Sequence, residues 1–384
     1  MVHISERDLQ LPELEFPKIC ERVINDKSVI SLGPGEPDFM TPAPLLAYAK
    51  KVIGKGTHYS EPQGLLKLRE AISSHVLLKN KIKTSPENIL ISCGSQEALF
   101  SSLLTTIDPT EEVVVPSPGY VGYVPAIELV NGVPKFLKLS FEDNFSLNPD
   151  LLKKMITKKT QVIILNSPSN PTGNVLSNKI LEEVADIAID KDLWVFSDEA
   201  YEDIIYGSAK HISIASLNGM HEHAVTFKTF SKSYAMCGFR LGYCIGPEKF
   251  IQEVTKDHHY VVLGAPHFSQ LLGIKALTLP QKYIKIMVKE YNRRRDFMVS
   301  RLNDMGLPTH KPAGAFYTFS NISQFGNDSS KFSRELLNYG KVAVIPGKEF
   351  GPFGEGFLRC SFATKFEKIE EAMTRMEKFL KNKN

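Results

Sequence analysis

The clearest chemical signal in this sequence is a lysine followed eight residues later by an arginine. Lys232 and Arg240 lie in the segment TFSKSYAMCGFRLGY (229–243), where Thr229 and Ser231 add hydroxyl groups. A lysine amine in a partly dry pocket near another cation has a lowered pKa and can attack a carbonyl carbon to form a Schiff base. The planar fork of an arginine suits a phosphate. The alternative is a loop that carries an ordinary exposed lysine.

An acidic residue follows a strongly apolar run in the segment LWVFSDEAYED (193–203). Asp198 stands at the end of that run, and Tyr201 follows three residues later. A carboxylate in this place can pair with the protonated pyridine nitrogen of pyridoxal phosphate, whose chemistry uses such a partner. The alternative is an aspartate that caps the N-terminus of a helix.

Two further loops that follow an apolar run carry a candidate residue. In IILNSPSNPTG (163–173), Pro171 keeps the backbone of Asn170 out of the helical region, so that its amide can point into a cleft. The alternative is a simple tight turn. In PSPGYVGY (116–123), Tyr120 can stack on a flat ring, or it can be an ordinary core tyrosine.

Two anion sites are also indicated. In ISCGSQEALF, the residues Gly94, Ser95 and Gln96 open a predicted helix, whose free N–H groups can bind a phosphate; the alternative is an ordinary helix cap. In FLRCSFA, Arg359 interrupts an apolar strand, which costs free energy unless the arginine meets an anion. A free α-carboxylate would suit it, and the alternative is a structural ion pair.

The elements that must position these residues alternate along the middle of the chain. Short runs are apolar at consecutive positions, as expected of strands buried on both faces of a parallel sheet, and amphipathic stretches such as 176–190 fill the gaps. This alternation predicts an α/β domain with a mostly parallel sheet, in which ligands bind beyond the carboxyl ends of the strands. The predicted strands are 88–92, 112–115, 162–165, 193–196, 224–227 and 241–245.

A second α/β lobe is predicted for the C-terminal part of the chain. The first forty residues, which are rich in proline, are predicted to form an extended arm and loop that joins this lobe. The predicted elements of the lobe are a long helix over 281–305, strands at 314–319, 342–345 and 357–362, and a helix over about 365–380. The predicted divisions are the arm with part of the small domain (1–40), a large cofactor-binding domain (41–280), and a linking helix with the small C-terminal domain (281–384).

Composition excludes several classes of protein. Hydrophobic residues make up 42% and charged residues 23% of the 384 positions, so a disordered chain, a coiled coil and a collagen-like chain are excluded. A net charge of +3 is too weak to indicate nucleic acid or an anionic membrane. The start lacks a signal-peptide pattern, and five cysteines without C-x-x-C spacing favour a reducing cytoplasm. The histidine pairs at 221/223 and 258/259 lack metal-ligand spacing and are predicted to be surface histidines, so no metal site is expected.

Taken together, these motifs identify the chain as similar to a known family. The order GPGEPDF, YSEPQG, GSQEAL, PSPGY, NSPSNPTG, SDEAYE, SKSYAMCGFRLG, GAFY, LRCSFA resembles that of class I pyridoxal-phosphate aminotransferases of fold type I, over essentially the whole chain. It is particularly similar to the branch of aromatic-amino-acid and aspartate aminotransferases. The resemblance implies a mostly parallel seven-stranded sheet flanked by helices, plus a smaller α/β domain built from both termini.

The resemblance also implies catalytic roles. Lys232 would hold pyridoxal phosphate as a Schiff base and then act as the base that moves the substrate's α-proton. Asp198 would keep the pyridinium nitrogen protonated. Tyr201 and Asn170 would bind the phenolic oxygen of the ring, and Tyr120 would stack on it. The amino group would pass from an L-amino acid to a 2-oxo acid such as 2-oxoglutarate by a ping-pong mechanism.

The remaining implied roles concern binding. Arg359 would bind the substrate's α-carboxylate, with Gly35, Tyr120 and Asn170 beside the substrate. Tyr59 would reach the phosphate of the neighbouring subunit's cofactor, which implies a homodimer with shared active sites. The residues implied to bind the phosphate or to lie in the loops around it are Gly94, Ser95, Gln96, Thr229, Ser231 and Arg240.

Two positions depart from the family pattern. Thr229 stands where glycine or serine is common, and it keeps the hydroxyl. Gln96 stands where some bacterial aspartate enzymes have a lysine that meets the second carboxylate, which leaves room for aromatic substrates. The alternatives are a lyase or decarboxylase of the same fold, or a non-catalytic regulator that binds the cofactor. A dinucleotide enzyme is disfavoured because no G-x-G-x-x-G follows the first strand.

Overall fold

The computed structural model describes residues 3–9, 11 and 15–383 of the chain. Its strands are β1 (Ile30–Ser31), β2 (Ile89–Ser92), β3 (Glu112–Ser117), β4 (Val133–Lys138), β5 (Thr160–Asn166), β6 (Trp194–Asp198), β7 (Ala224–Thr229), β8 (Gly242–Ile245), β9 (Tyr317–Asn321), β10 (Val342–Ala343), β11 (Ile345–Pro346) and β12 (Phe357–Ser361). Its α-helices are α1 (Glu6–Leu9), α2 (Glu15–Asn25), α3 (Ala43–Val52), α4 (Leu66–Asn80), α5 (Ser95–Thr106), α6 (Tyr123–Leu129), α7 (Pro149–Met155), α8 (Asn178–Asp190), α9 (Phe230–Ser233), α10 (Glu248–Val262), α11 (His267–Leu277), α12 (Lys282–Asp304), α13 (Ser329–Glu335) and α14 (Phe366–Lys381).

The largest sheet has seven strands in the order β2-β8-β7-β6-β5-β3-β4. All neighbouring pairs are parallel except those that involve β8, which runs antiparallel to β2 and to β7. The six apolar runs found in the sequence all correspond to strands of this sheet. Helices between the strands pack on it, as in α8, which buries Leu181, Val184, Ala185 and Ala188. The predicted fold class is confirmed.

One strand of this sheet has no counterpart among the predicted strands. β4 lies at the edge and, among the described strands, pairs only with β3. Its residues are mostly partly exposed, and Lys135 and Lys138 interrupt its apolar character. An edge strand with one neighbour does not need the continuous apolar run that marks a strand buried on both faces.

A smaller α/β unit is built from both ends of the chain. β11, β12 and β9 form an antiparallel sheet, and β1 pairs in parallel with β10 through Ile30 and Val342. The long helix α12 buries Ile284, Met287, Tyr291, Met298 and Leu302 at the helical spacing seen in the sequence. The division of the chain at residues 40 and 280 stays a prediction.

The prediction that the first forty residues are extended is wrong for α2. This helix covers Glu15–Asn25 and includes Pro17. Pro17 is the third residue of the helix, where a backbone N–H would have no partner within the helix, so proline costs little there. A proline in the first turn is compatible with a helix, and reading each proline as a sign of extended chain caused the error.

One of the histidines expected at the surface is buried. His258 in α10 has a side chain that is fully buried, and its Nδ1 lies 3.0 Å from Glu97 Oε1. The acceptor Glu97 lies in α5, so the contact joins two packed helices. Among the described residues, no helix is both long and apolar enough to cross a membrane.

Candidate active site

Three neighbouring strands of the large sheet end in polar residues. Asn166, Asp198 and Thr229 are the last residues of β5, β6 and β7, and Asn166 pairs in register with Asp198. Helix α9 follows β7 without a gap and carries Lys232 on its single turn. Because parallel strands end at the same edge of a sheet, these side chains come together beyond it.

A cavity of about 200 Å³ opens at this edge of the sheet. Most of the residues predicted for the site line it, together with Tyr123, Asn166 and several apolar side chains. The predicted residues in its lining are Gly94, Ser95, Gln96, Tyr120, Asn170, Asp198, Tyr201, Thr229, Ser231, Lys232 and Arg240. Gly35 and Arg359 adjoin the cavity through hydrogen bonds to lining residues, whereas Tyr59 does not adjoin it.

The amine of Lys232 is held at the edge of the cavity. Its Nζ donates a hydrogen bond to the carbonyl oxygen of Gly35, in the loop after β1. The same Nζ lies 5.8 Å from the centre of the Tyr201 ring. The N-terminal loop therefore contacts the residue expected to perform the chemistry.

Asp198 has a donor on each carboxylate oxygen. Tyr123 Oη donates to Oδ2 at 2.7 Å, and the backbone N–H of Ala200 donates to Oδ1 at 3.1 Å. Burial raises the pKa of Asp198, and the two hydrogen bonds oppose this shift because they favour the charged form. Tyr123 was not among the residues predicted for the site.

The two tyrosines expected beside the ring lie on different walls of the cavity. Tyr120 donates a hydrogen bond to Gln96 Oε1 at 3.0 Å and packs edge-on against Tyr123. Burial raises the pKa of Tyr120 to about 12 and raises the pKa of Tyr201 as well, so both hydroxyls stay protonated. Tyr201 Oη lies 2.7 Å from Tyr317 Oη.

One end of the cavity has the character of an anion site. Helix α5 begins at Ser95 after Gly94, whose φ of 92° is one that glycine readily adopts. A Cβ at Gly94 would lie 2.7 Å from Arg240 Nη2, so only glycine allows this approach. Arg240 is fixed by the carbonyl oxygens of Cys237 and Cys93, which accept from Nη1 at 3.0 Å and from Nη2 at 3.3 Å.

A second buried cation adjoins the cavity. Arg359 is 6% exposed and donates to Asn170 Oδ1 at 3.1 Å and to the carbonyl oxygen of Gly33. Its Nε has no hydrogen-bond partner among the described residues. No carboxylate pairs with it among the described ion pairs, so the alternative of a structural ion pair is not supported.

A third group of charged residues does not line the cavity. Oxygens of Glu199 and Glu202 and a nitrogen of His211 lie within 4.8 Å of one another, close enough to hold a metal ion. The amine of Lys228 lies 2.9 Å from Glu199 Oε2 and 2.5 Å from Glu202 Oε2. The protein therefore supplies its own cation to this group.

A family model describes most of this chain. The model for "Aminotransferase class I and II" matches residues 27–376. The chain belongs to this family. It is a pyridoxal-phosphate-dependent aminotransferase, and the alternatives of a lyase, a decarboxylase or a non-catalytic regulator are not supported.

The relatives of this aminotransferase are named for two substrate classes. An aspartate aminotransferase of Pyrococcus abyssi is 46% identical over 99% of each chain, and aromatic-amino-acid aminotransferase 2 of Thermococcus litoralis is 43% identical over 99% of each chain. The crystal structure of an aromatic aminotransferase from Pyrococcus horikoshii superposes with a TM-score of 0.91 at 46% identity, over 95% of this chain and 99% of that one.

The residues that line this aminotransferase's cavity fit pyridoxal phosphate. The start of α5, Arg240 and the hydroxyls of Thr229 and Ser231 suit the phosphate, and the carboxylate of Asp198 suits the pyridinium nitrogen. When bound, pyridoxal phosphate supplies an electron sink for the carbanion formed at the substrate's α-carbon. Among the described residues, Lys232 is the one lysine that lines the cavity.

Proposed function

We propose that this chain moves the amino group of an aromatic L-amino acid or of L-aspartate to 2-oxoglutarate in two half-reactions. One observation carries the proposal: a buried arginine beside the cavity of Lys232 has an unpartnered Nε. A buried arginine with an unused N–H donor suits a carboxylate, and a substrate amino acid has an α-carboxylate. Both substrate classes occur in the names of full-length relatives.

The charges that line the cavity bear on which substrate side chain the enzyme prefers. The cations that line the cavity are Lys232 and Arg240, and each has another proposed task. Gln96 is neutral, and its Oε1 accepts from Tyr120. An acidic side chain would therefore lack a dedicated cation in this wall, which favours aromatic substrates over aspartate.

The proposed roles follow from the contacts. Arg359 binds the α-carboxylate, with Asn170 fixing the guanidinium and Gly35 closing from the N-terminal loop. Asp198 keeps the ring nitrogen protonated, and Tyr123 orients this carboxylate. Binding in this way places the substrate near Lys232, whose Nζ takes the proton from the α-carbon and would deliver it to the cofactor carbon that bears the nitrogen.

We assign the other residues that line the cavity to the binding of the ring and the phosphate of pyridoxal phosphate. Tyr120 stacks on the ring, and Tyr201 donates to its phenolic oxygen together with the amide of Asn170. These groups exclude water from one face of the ring and fix its tilt. The proposed phosphate site comprises Gly94, Ser95, Gln96, Thr229, Ser231 and Arg240.

A single-turnover experiment tests the proposal. The yellow holoenzyme is mixed separately with tyrosine, phenylalanine, aspartate, glutamate and alanine, and its visible absorbance is followed. We expect the yellow band to bleach to the amine form of the cofactor, fastest with an aromatic amino acid. If aspartate is fastest, the aromatic preference is wrong. If no amino acid bleaches the band, the half-reaction is absent and the proposal fails.

We further propose that the working unit is a cytoplasmic homodimer. Tyr59 is 86% exposed and Tyr260 is 88% exposed in the single chain, which is unusual for two large aromatic side chains. They belong to adjoining segments, since a Cβ at Gly264 would lie 3.6 Å from the carbonyl oxygen of Glu61. A second copy covering this surface would bring Tyr59 to the phosphate of the neighbouring site.

A mixing experiment tests the shared site. Tyr59→Phe is expected to weaken cofactor binding by about 10-fold or more, the loss typical of a hydrogen bond to a charged group. Mixing Tyr59→Phe with Lys232→Ala subunits is expected to restore one complete site per hybrid dimer, which is measured as activity at low cofactor concentration. Tyr339→Phe is the control, because Tyr339 is also exposed, at 80%, but is not one of the residues proposed for the shared site. A mixture that is no more active than its separate components would rule out a shared site.

A further inference from the structure

One buried tyrosine contacts three of the proposed site residues and has no role assigned above. Tyr317 is the tyrosine of the GAFY motif, and it opens β9 with 1% of its surface exposed. Its Oη lies 2.7 Å from Tyr201 Oη. The guanidinium carbon of Arg359 lies 4.5 Å from the centre of its ring. A Cβ at Gly35 would lie 2.4 Å from the Tyr317 hydroxyl, so the N-terminal loop rests on it.

The sheet register explains why the ring meets Arg359. In the antiparallel pair of β12 and β9, Arg359 stands opposite Phe319 and Ser361 stands opposite Tyr317. Arg359 and Tyr317 are therefore diagonal neighbours on one face, within reach of an aromatic ring and a long side chain. The flat ring holds the guanidinium plane on one side while Asn170 and Gly33 accept from its two Nη atoms.

The hydroxyl pair has a direction that the chemistry requires. A tyrosine hydroxyl has one O–H to donate. If Tyr201 donated to Tyr317, it would have no hydrogen left for an acceptor in the cavity. Tyr317 as the donor leaves Tyr201 free to donate into the cavity and makes its O–H a stronger donor, since hydrogen bonds in a chain polarise one another.

We propose that Tyr317 is a positioning residue that joins two parts of the site: its ring orients Arg359 for the substrate's carboxylate, and its hydroxyl directs the hydroxyl of Tyr201 towards the ring oxygen of the cofactor. This inference rests on the proposed roles of Arg359 and Tyr201. The small sheet would then contribute a second residue to the site, Tyr317, besides Arg359.

Two variants separate the two contacts. Tyr317→Phe keeps the ring and removes the hydroxyl, whereas Tyr317→Leu removes both. The matched control is Tyr206→Phe, because Tyr206 is also buried in the same hydrophobic cluster and its hydroxyl donates to the carbonyl oxygen of Ala315, at 2.6 Å. Thermal unfolding of each apoprotein shows whether the variant folds.

The first readout is the binding of 3-phenylpropionate, a carboxylate without an amino group that cannot be turned over. Its dissociation constant is measured from the absorbance of the holoenzyme. We expect Tyr317→Leu to weaken binding about 10-fold, within the range of a desolvated arginine–aromatic contact. Tyr317→Phe and Tyr206→Phe should bind within twofold of the unchanged protein. Equal affinity in a folded Tyr317→Leu protein would overturn the role of the ring.

The second readout is the pH midpoint of the visible band of the resting holoenzyme. A strong donor at the ring oxygen favours the form of the chromophore with more negative charge there, which lowers the midpoint. Tyr317→Phe should therefore raise the midpoint, and Tyr206→Phe should leave it unchanged. Among the described residues, the charged and titratable groups that line or adjoin the cavity are Asp198, Lys232, Arg240, Arg359, Tyr120, Tyr123 and Tyr201, and all are the same in the variant.

The outcomes distinguish this inference from the proposed function. An unshifted midpoint in Tyr317→Phe would overturn the role of the hydroxyl, even if every amino acid is transaminated as expected. Absence of turnover by the unchanged protein would defeat the proposed function, while the midpoint would still test Tyr317. If Tyr317→Leu does not fold, Tyr317→Phe still decides the hydroxyl, and Tyr317→His, which keeps a flat ring, decides the stacking by its affinity for 3-phenylpropionate.

Discussion

Lys232→Ala is expected to abolish transamination while leaving the fold intact. Among the described residues, the amine of Lys232 is the one lysine amine that lines the cavity, so we expect no other described lysine to replace it as the base. A positioned general base contributes up to about 10⁴-fold to a rate, and we expect a loss of at least this size. The measurement is steady-state turnover with the fastest amino acid of the panel and 2-oxoglutarate. The phosphate contacts remain, so the variant should still bind the cofactor, but weakly enough to lose it on gel filtration.

The control for this variant is another lysine of the same chain. Lys256→Ala removes an exposed lysine whose amine contacts Glu253, and it should keep both activity and cofactor. Borohydride reduction of the unchanged holoenzyme should fix the cofactor covalently to the peptide that contains Lys232. Retained turnover in Lys232→Ala, or a label on another lysine, would contradict the assignment.

The arrangement of the proposed site was largely predictable because it depends on sheet topology. Asn166, Asp198 and Thr229 each stand one or two residues after an apolar run, and parallel neighbouring strands must end at one edge. Residues 30 to 60 positions apart in sequence were therefore expected to meet. Together with Lys232 and Arg240, these residues supply an amine, a carboxylate and an anion site, and this set of groups limits the possible chemistry.

The contacts that the sequence did not reveal depend on which way a side chain faces. Tyr120 and Tyr123 stand three residues apart in one motif, and the sequence does not say which of them bonds Asp198. Tyr120 precedes α6 and Tyr123 is its first residue, so helical spacing does not relate the two side chains. Tyr317 lies in the GAFY motif, and its contact with Tyr201 joins β9 to the turn after β6, a long-range contact with no local signal in the sequence.

Lys228→Met is expected to cause the largest loss of stability of any variant considered. Lys228 is 2% exposed, and its amine contacts the carboxylates of Glu199 and Glu202. Without Lys228, Glu199 keeps only His211 and Glu202 keeps only Lys79 as a neighbouring cation among the described ion pairs. Breaking a buried ion pair typically costs about 3–5 kcal/mol in the free energy of unfolding, because the buried charge that remains is poorly compensated. The measurement is urea unfolding at pH 7 and one fixed protein concentration.

The pH dependence of this loss separates charge from packing. Burial alone would raise the pKa of Glu199, but Lys228 and His211 outweigh burial and lower it to about 2. In the unchanged protein this carboxylate stabilises the fold at pH values above its unfolded pKa of about 4.3, and the contribution is lost as the pH falls towards 2. Without Lys228, burial should raise the pKa instead, so acidification relieves the buried charge. The stability deficit of Lys228→Met should therefore shrink between pH 7 and pH 5.

Two comparisons complete the test. Lys228→Met combined with Glu199→Gln should recover part of the lost stability, because a neutral amide replaces the uncompensated carboxylate. Lys256→Met, which removes a lysine from an exposed pair, should change stability little. Glu199 and Glu202 directly follow Asp198 and Tyr201 in the sequence. The contacts of Lys228 with these two carboxylates therefore stabilise the turn that carries Asp198 and Tyr201 into the cavity lining. A deficit that is unchanged between pH 7 and pH 5, and not reduced in the double variant, would mean that Lys228 contributes packing rather than charge.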